Sequence, residues 1–356
     1  RGWSCLGQID SAQHNKGMCP RARRLLSSAP FTRRNNCIRA PNVAGVGAGR
    51  IRSQRSTMEF VSLEAWKSRG KSVRLLGHEL FYIDESATEV ERGTLLLIHG
   101  FPTASWDWWK IWPELNRHYR VVAMDLLGFG FSAKPCPHDY RIMEQADLCE
   151  ALVSHLQLTR FHVLAHDYGD TVAQEMLARQ NAGTGAGTWQ SCLFLNGGLF
   201  PETHRAVLSQ RLLHGPLGFL FRHALTKRSL RKSFNKIFGP DTPASDAEID
   251  AFFELFSRDG GRRNLHRLIQ YISDRRTHRE RWVTALREAC CPIGLINGSV
   301  DPVSGEHMVR RFEELLGNDC FIERLPRIGH YPQVEAPEAV LSAYARFLDG
   351  LGTAAA

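Results

Sequence analysis

The stretch that decides the fold is RFHVLAHDYG, Arg160 to Gly169. Phe161 to Ala165 is a short apolar run that reads as a buried strand. His166-Asp167-Tyr168-Gly169 follows at once, and Val172, Ala173, Met176 and Leu177 then repeat at helical spacing. A strand that turns sharply into a helix, with small residues around one reactive side chain, raises that side chain at a strand end. Here the raised residue is Asp167, a carboxylate where a hydroxyl is the commoner choice.

Outward from this elbow the pattern is regular. Strand-like runs occur at Val73–Leu76, Glu79–Ile83, Thr94–Ile98, Tyr119–Ala123, Phe161–Ala165, Cys192–Leu195, Ile293–Ile296 and Cys320–Leu325. Most are nearly continuous apolar segments, as strands covered on both faces require. Helical spacing lies between most of them, at Trp106–Leu115, Glu144–Leu156, Tyr168–Gln180, Glu306–Leu316 and Pro337–Leu348. The alternation predicts an α/β fold with an eight-stranded, mostly parallel sheet and right-handed crossovers. In such sheets the chemistry collects at the strand carboxyl ends.

One interval breaks the rhythm. Between Leu195 and Ile293 no convincing strand occurs, but amphipathic runs appear near Thr203–Ala224, Ala247–Phe256 and Leu265–Ile272. This predicts a helical cap, residues 200–286, inserted after the sixth strand. Residues 58–199 and 287–356 then form the core.

Charge is unevenly distributed. The net charge is +8, yet residues 1–57 hold ten Arg and one Lys against Asp10 alone, leaving 34 basic and 36 acidic residues in the rest. A nearly neutral body removes most of the support for a nucleic-acid partner. The leader is Arg- and Ser-rich without an apolar core, which suits a mitochondrial or plastid transit segment; a disordered tail, or translation upstream of Met58, is the alternative. The nine Cys have no metal-ligand spacing, and their odd number predicts reduced thiols. No apolar run approaches the ~18 residues of a spanning helix.

Four strand-end loops offer candidates: His99-Gly100-Phe101-Pro102, Asp167, Asp301 within NGSVDP, and His330 within IGHYP. Nucleophile, acid and histidine in that chain order form a catalytic triad, Asp167–Asp301–His330. Each has a plainer reading: Asp167 as a helix cap, His330 as a core histidine, Asp301 as a turn residue before Pro302. Asn196 is a weaker rival for the acid, since an amide cannot stabilise imidazolium as a carboxylate does. The backbone N–H groups of Phe101 and Tyr168 are candidate oxyanion donors. His99 and Trp106 are candidate substrate contacts, although Trp106 also reads as core. Asp125 in DLLGFGFS reads as a turn anchor; the glycine spacing is wrong for a dinucleotide site, and no cofactor or metal is expected. Asp170 suits the first turn of a helix, and His166 reads as buried support. Arg262 to Arg281 reads as a solvated face, with peripheral membrane contact as the alternative.

An aspartate nucleophile narrows the reaction. Attack on an ester carbonyl would give an anhydride, which gains little. Displacement at an sp³ carbon gives an alkyl ester on the enzyme. The histidine is then needed to activate water against that ester. Epoxides and halogenated alkanes fit this logic.

With HGFP, HDYG, the DP loop and GHYP in view, residues 63–348 resemble the epoxide hydrolase and haloalkane dehalogenase branch of the α/β hydrolases. WDWWKIW (106–112), LLGFGFSAKP (126–135), HDYGDTVAQE (166–175), FPETHR (200–205) and LIQYI (268–272) resemble a narrower group, the mesoderm-specific transcript family. The resemblance implies a hydrolase of a small apolar substrate and, as one address, the endoplasmic reticulum membrane. It implies Tyr271 as the cap tyrosine over the substrate, although epoxide hydrolases usually present two. Tyr168 stands where haloalkane dehalogenases usually carry a halide-binding Trp. A lipid acyl hydrolase or transferase, and a ligand-binding protein without activity, are the competing readings.

Overall fold

The computed structural model describes residues 59–221, 225–317 and 320–354; the Arg-rich leader lies outside them. Eight strands form one sheet: β1 (Lys71–Leu75), β2 (His78–Glu85), β3 (Thr94–Ile98), β4 (Arg120–Met124), β5 (Arg160–His166), β6 (Thr188–Leu195), β7 (Ile293–Gly298) and β8 (Phe321–Leu325). Their order is β1-β2-β4-β3-β5-β6-β7-β8. β1 and β2 run antiparallel to their neighbours, and β4, β3, β5, β6, β7 and β8 are parallel. Every residue of β3 and β7 is buried, which is why these strands read as unbroken apolar runs.

The core helices are α1 (Leu63–Arg69), α2 (Trp112–His118), α3 (Ile142–His155) and α4 (Tyr168–Asn181). Between β6 and β7 lie α5 (Leu208–His214), α6 (Gly218–Phe221), α7 (Lys227–Ile237), α8 (Asp246–Ser257), α9 (Leu265–Leu268), α10 (Tyr271–Thr277) and α11 (Arg279–Arg287). No strand occurs in this insertion among the described residues. Then come α12 (Glu306–Leu316), α13 (Pro332–Glu335) and α14 (Pro337–Ala354). The Trp106–Leu115 helix expected from the sequence is instead a 3₁₀ turn, Ser105–Trp108, followed by α2.

Local chemistry sets several boundaries. Ser245 caps α8 through its Oγ, which accepts the Glu248 N–H, while Glu248 reaches back to the Ser245 N–H at 2.8 Å. Asp125 anchors its turn as expected, accepting the Ser105 and Phe131 N–H groups at 2.8 and 2.7 Å. Cys136, Cys149, Cys192, Cys290 and Cys291 are free thiols. Cys320 is disulfide-bonded, a departure from the expectation of reduced thiols throughout.

Candidate active site

The elbow forms where β5 meets α4. Asp167 has φ 47° and ψ −103°, outside the regions a non-glycine residue prefers. Its N–H donates to Leu195 O on β6 at 3.1 Å, and its side chain makes no capping bond to α4. The helix-cap reading of Asp167 therefore fails, and the strain lifts the carboxylate off the helix. Gly169 makes the turn feasible, since a Cβ there would lie 2.3 Å from Ile98 O on β3.

Asp167 Oδ2 accepts the Phe101 N–H at 3.1 Å and lies 3.9 Å from His330 Nε2. The other nitrogen, Nδ1, is 2.7 Å from Asp301 Oδ2. Asp301 is fixed by four further donors: the N–H groups of Val303 and Ser304, the Ser304 hydroxyl and Asn196 Nδ2. The three candidate triad residues thus meet, although 163 positions separate Asp167 from His330 in the chain. Asn196, the rival acid, is a buttress: its amide also pairs with Gly298 N–H and C=O at 2.7 and 3.1 Å. Tyr168 is the first residue of α4, so its N–H belongs to the helix end that lacks an intrahelical acceptor.

Burial disfavours charge at all three groups, and mutual attraction overcomes it. His330 is held well above the ordinary histidine range, because Asp301 and Asp167 outweigh the desolvation that would lower it. Burial likewise pushes Asp167 up, but His330 and Arg275 hold its carboxyl well below the usual range. His166 is held neutral, down to about 3, first by burial and then by His330. It donates from Nε2 to the His330 carbonyl at 2.8 Å, the supporting role expected of it.

Two substrate-contact candidates are placed elsewhere. Both nitrogens of His99 are occupied: Nδ1 donates to Gly100 O at 2.9 Å and Nε2 accepts the Leu126 N–H at 3.0 Å. His99 is therefore a clamp between two loops, with no donor left for a substrate. Trp106 sends its indole N–H to Val61 O at 3.0 Å and packs on Trp109, Phe60 and Phe252. Apolar packing won over site duty in both its ring and its donor. Tyr271, the third candidate, is fully buried, 4.9 Å ring to ring from Tyr168 and 6.0 Å from Phe101. Its hydroxyl has no hydrogen-bond partner of good geometry, and Arg275 is the group near enough to act on it.

Sequence reasoning missed Arg275. It lies within the basic stretch read as a solvated face, yet it is 1% exposed. Its Nη2 donates to Asp167 O at 3.1 Å and stands 3.8 Å from Asp167 Oδ1; its Nε donates to Thr171 Oγ1 at 2.7 Å. Nη1 approaches His204 Nδ1 at 3.4 Å, and the guanidinium lies 4.5 Å over the Tyr271 ring. Gly198 leaves room for it, since a Cβ there would fall 2.3 Å from Nη1. Other arginines of that stretch are engaged within the protein: Arg267 with Asp139, Arg279 with Glu202, Arg281 with Glu175. The available signal was FPETHR, whose His204 holds Arg275 and whose Glu202 holds Arg279 and Arg311. Asp170 also departs from its reading as a helix-dipole carboxylate. It is fully buried, and burial together with Asp167 raises it well above the usual range against the opposing pull of Arg275.

Away from the triad, His78, His138 and Glu144 place three potential metal ligands within 4.8 Å of one another. Glu144 already pairs with both histidines, at 3.6 and 2.7 Å.

Residues 93–182 match the α/β hydrolase fold family. The human mesoderm-specific transcript homolog protein is 40% identical over 304 residues, covering 81% of this chain and 88% of that protein. The chain belongs to the mesoderm-specific transcript family of α/β hydrolases. The putative hydrolase LipZ of Mycobacterium tuberculosis is 38% identical over 250 residues, 70% of this chain and 86% of its own. Among solved structures, a haloalkane dehalogenase loop variant from Bradyrhizobium elkanii superposes with TM-score 0.67 at 22% identity, over 80% of this chain and 98% of that one. The epoxide hydrolase CorEH gives TM-score 0.65 at 19% identity, over 79% and 99%. Both share the α/β hydrolase fold, and the family supplies the hydrolase class that the elbow had suggested.

Proposed function

We propose that this family member hydrolyses an epoxide through a covalent ester on Asp167. The observation that carries the proposal is the carboxylate itself: a strained elbow presents Asp167, and a histidine oriented by a second acid stands behind it. Oδ2 sits against the Phe101 N–H, so Oδ1 is the oxygen free to attack. Attack forms an alkyl ester and releases the ring oxygen as alkoxide. In the second step His330 takes a proton from water, the hydroxide adds to the ester carbonyl, and the Phe101 and Tyr168 amides hold the oxyanion. The helices of 200–286 act as the cap that closes over these steps.

Charge favours an epoxide over a halide. With His330 and Arg275 cationic and Asp167 and Asp301 anionic, the resting site is balanced. An alkoxide is basic enough to remove the His330 proton, which leaves the histidine neutral as the base the second step needs. Halide is not, and Tyr168 offers no indole N–H to hold it. Tyr271 is the donor to the ring oxygen: Arg275, the group beside its hydroxyl, can only donate, so the O–H proton stays available.

Intact-mass analysis of the His330→Gln variant tests the reading. An epoxide should add its own mass, localised to Asp167, because the ester forms and cannot be hydrolysed. No adduct across a panel of epoxides and haloalkanes, with the unsubstituted protein also inactive, would overturn it.

A further inference from the structure

We propose that Arg275 is a substrate-binding residue, and that the substrate carries an anionic group, a carboxylate in the simplest case, on or beside the carbon that Asp167 attacks. This rests on the covalent reading above and narrows its substrate from apolar to anion-bearing.

The two oxygens of Asp167 have different partners. Oδ2 is engaged by the Phe101 N–H and faces His330. Oδ1, the attacking oxygen, faces the Arg275 guanidinium at 3.8 Å, beyond hydrogen-bond distance. A cation beside the attacking oxygen lowers its nucleophilicity toward a neutral electrophile. Once the ester forms, Asp167 loses its charge, and the buried guanidinium loses the anion beside it. A buried charge left unpaired is strongly unfavourable. An electrophile with its own carboxylate corrects both effects: it pairs with Arg275 on arrival and remains its partner in the ester.

The guanidinium is built to receive such a group. Of its five N–H donors, Nε is spent on Thr171, one Nη2 hydrogen on Asp167 O and one Nη1 hydrogen on His204. The Tyr271 hydroxyl also stands within reach of the guanidinium, and the donor capacity these partners leave is what an incoming carboxylate would take up. His204 is held neutral, to about 3, by burial and by Arg275, so it accepts from the guanidinium and does not repel it. Arg275, Asp167 and His330 are 1%, 2% and 3% exposed, and Asp167 stands within 4 Å of each of the other two. A ligand that reaches Oδ1 therefore meets Arg275. The step balances: Oδ1 bonds to the carbon, the C–O bond to the ring oxygen breaks, and the alkoxide takes a proton, from His330 where it is present and otherwise from the Tyr271 hydroxyl, which solvent reprotonates.

The test compares glycidate with glycidamide, which differ in charge and little in shape, as labels of Asp167. To let adducts accumulate, the His330→Gln background is used and labelling rates are read by intact mass. Glycidate should label on the order of 100-fold faster, and acetate should protect Asp167 competitively. Arg275→Gln should erase the preference and Arg275→Lys should retain part of it. If Arg275→Gln does not fold, the rate ratio and acetate protection in the Arg275-containing protein decide alone. Equal or faster labelling by glycidamide, or no protection by acetate, overturns the proposal while leaving the covalent mechanism standing. Absence of any adduct, with neutral epoxides as well, overturns the mechanism and this inference with it.

Discussion

Phe101 donates its backbone N–H to Asp167 Oδ2 at 3.1 Å, so the loop after β3 holds one carboxylate oxygen and not the other. The same N–H would stabilise the oxyanion when the ester is hydrolysed, because Oδ2 is the atom that becomes that oxyanion. In the proposed mechanism, attack and hydrolysis would share one donor without any movement of the loop.

Asp301→Asn should slow ester hydrolysis by ~10²–10⁴-fold, since an amide neither orients nor stabilises the His330 imidazolium. Alkylation of Asp167 should be much less affected. Single-turnover kinetics separate the two steps, and equal loss in both would contradict the assigned role. Asn196→Ala removes a buttress of Asp301 and should cost about 1–3 kcal/mol in the same step.

Tyr271→Phe separates packing from chemistry. The hydroxyl has no partner of good geometry and only Arg275 nearby, so the thermal midpoint should change little. If the hydroxyl serves the ring oxygen, alkylation by an epoxide should slow by roughly 10²-fold or more. An unchanged alkylation rate would reduce Tyr271 to a wall of the site.

Trp106→Phe tests the correction made for that residue. Losing the bond to Val61 O and part of the ring should destabilise the fold by ~1–3 kcal/mol, with kcat/KM essentially retained. A selective rise in KM with unchanged stability would return Trp106 to the substrate.

Stability should fall on both sides of neutral pH. Folding raises the His330 pKa, so the stability it contributes is complete below the ordinary histidine value. It is lost as pH rises through the folded-state value. His166 and His204 run the opposite way: each is held neutral down to about 3, chiefly by burial. Their contribution is present above the ordinary histidine range and is lost as pH falls through it toward 3. Thermal unfolding across pH should show both declines, and His330→Gln should flatten the alkaline one. An alkaline slope identical in the variant would assign that decline to other groups.

Gly198→Ala should be far more damaging than a typical glycine substitution. The new Cβ would lie 2.3 Å from Arg275 Nη1 and 3.2 Å from His204 Nδ1, and such overpacking costs about 1–3 kcal/mol. Activity should fall with stability, because the displaced guanidinium is bonded to the Asp167 carbonyl. A fully active, fully stable variant would show that Arg275 has room to shift.

What the sequence by itself determined is the frame and the reactive types. Strand periodicity, the helices between strands, and one carboxylate in an elbow are local patterns, and local patterns survive in one dimension. They specified the sheet and placed Asp167, Asp301 and His330 at strand ends, where the parallel topology brings them together. Tertiary structure decided the roles that depend on burial and on partners distant in the chain. Arg275 looks like its solvated neighbours in sequence, and only packing against Gly198, His204 and the elbow takes it out of water. Trp106 and His99 sit close to the elbow's loops in sequence, yet Val61 and Leu126 had already claimed their polar atoms. Asp170 follows Asp167 by one helical turn, and whether it is charged depends on a field that exists only in the folded protein. RFHVLAHDYG marks where the raised carboxylate stands. The side chains around it, drawn from across the fold, set its charge and its partners.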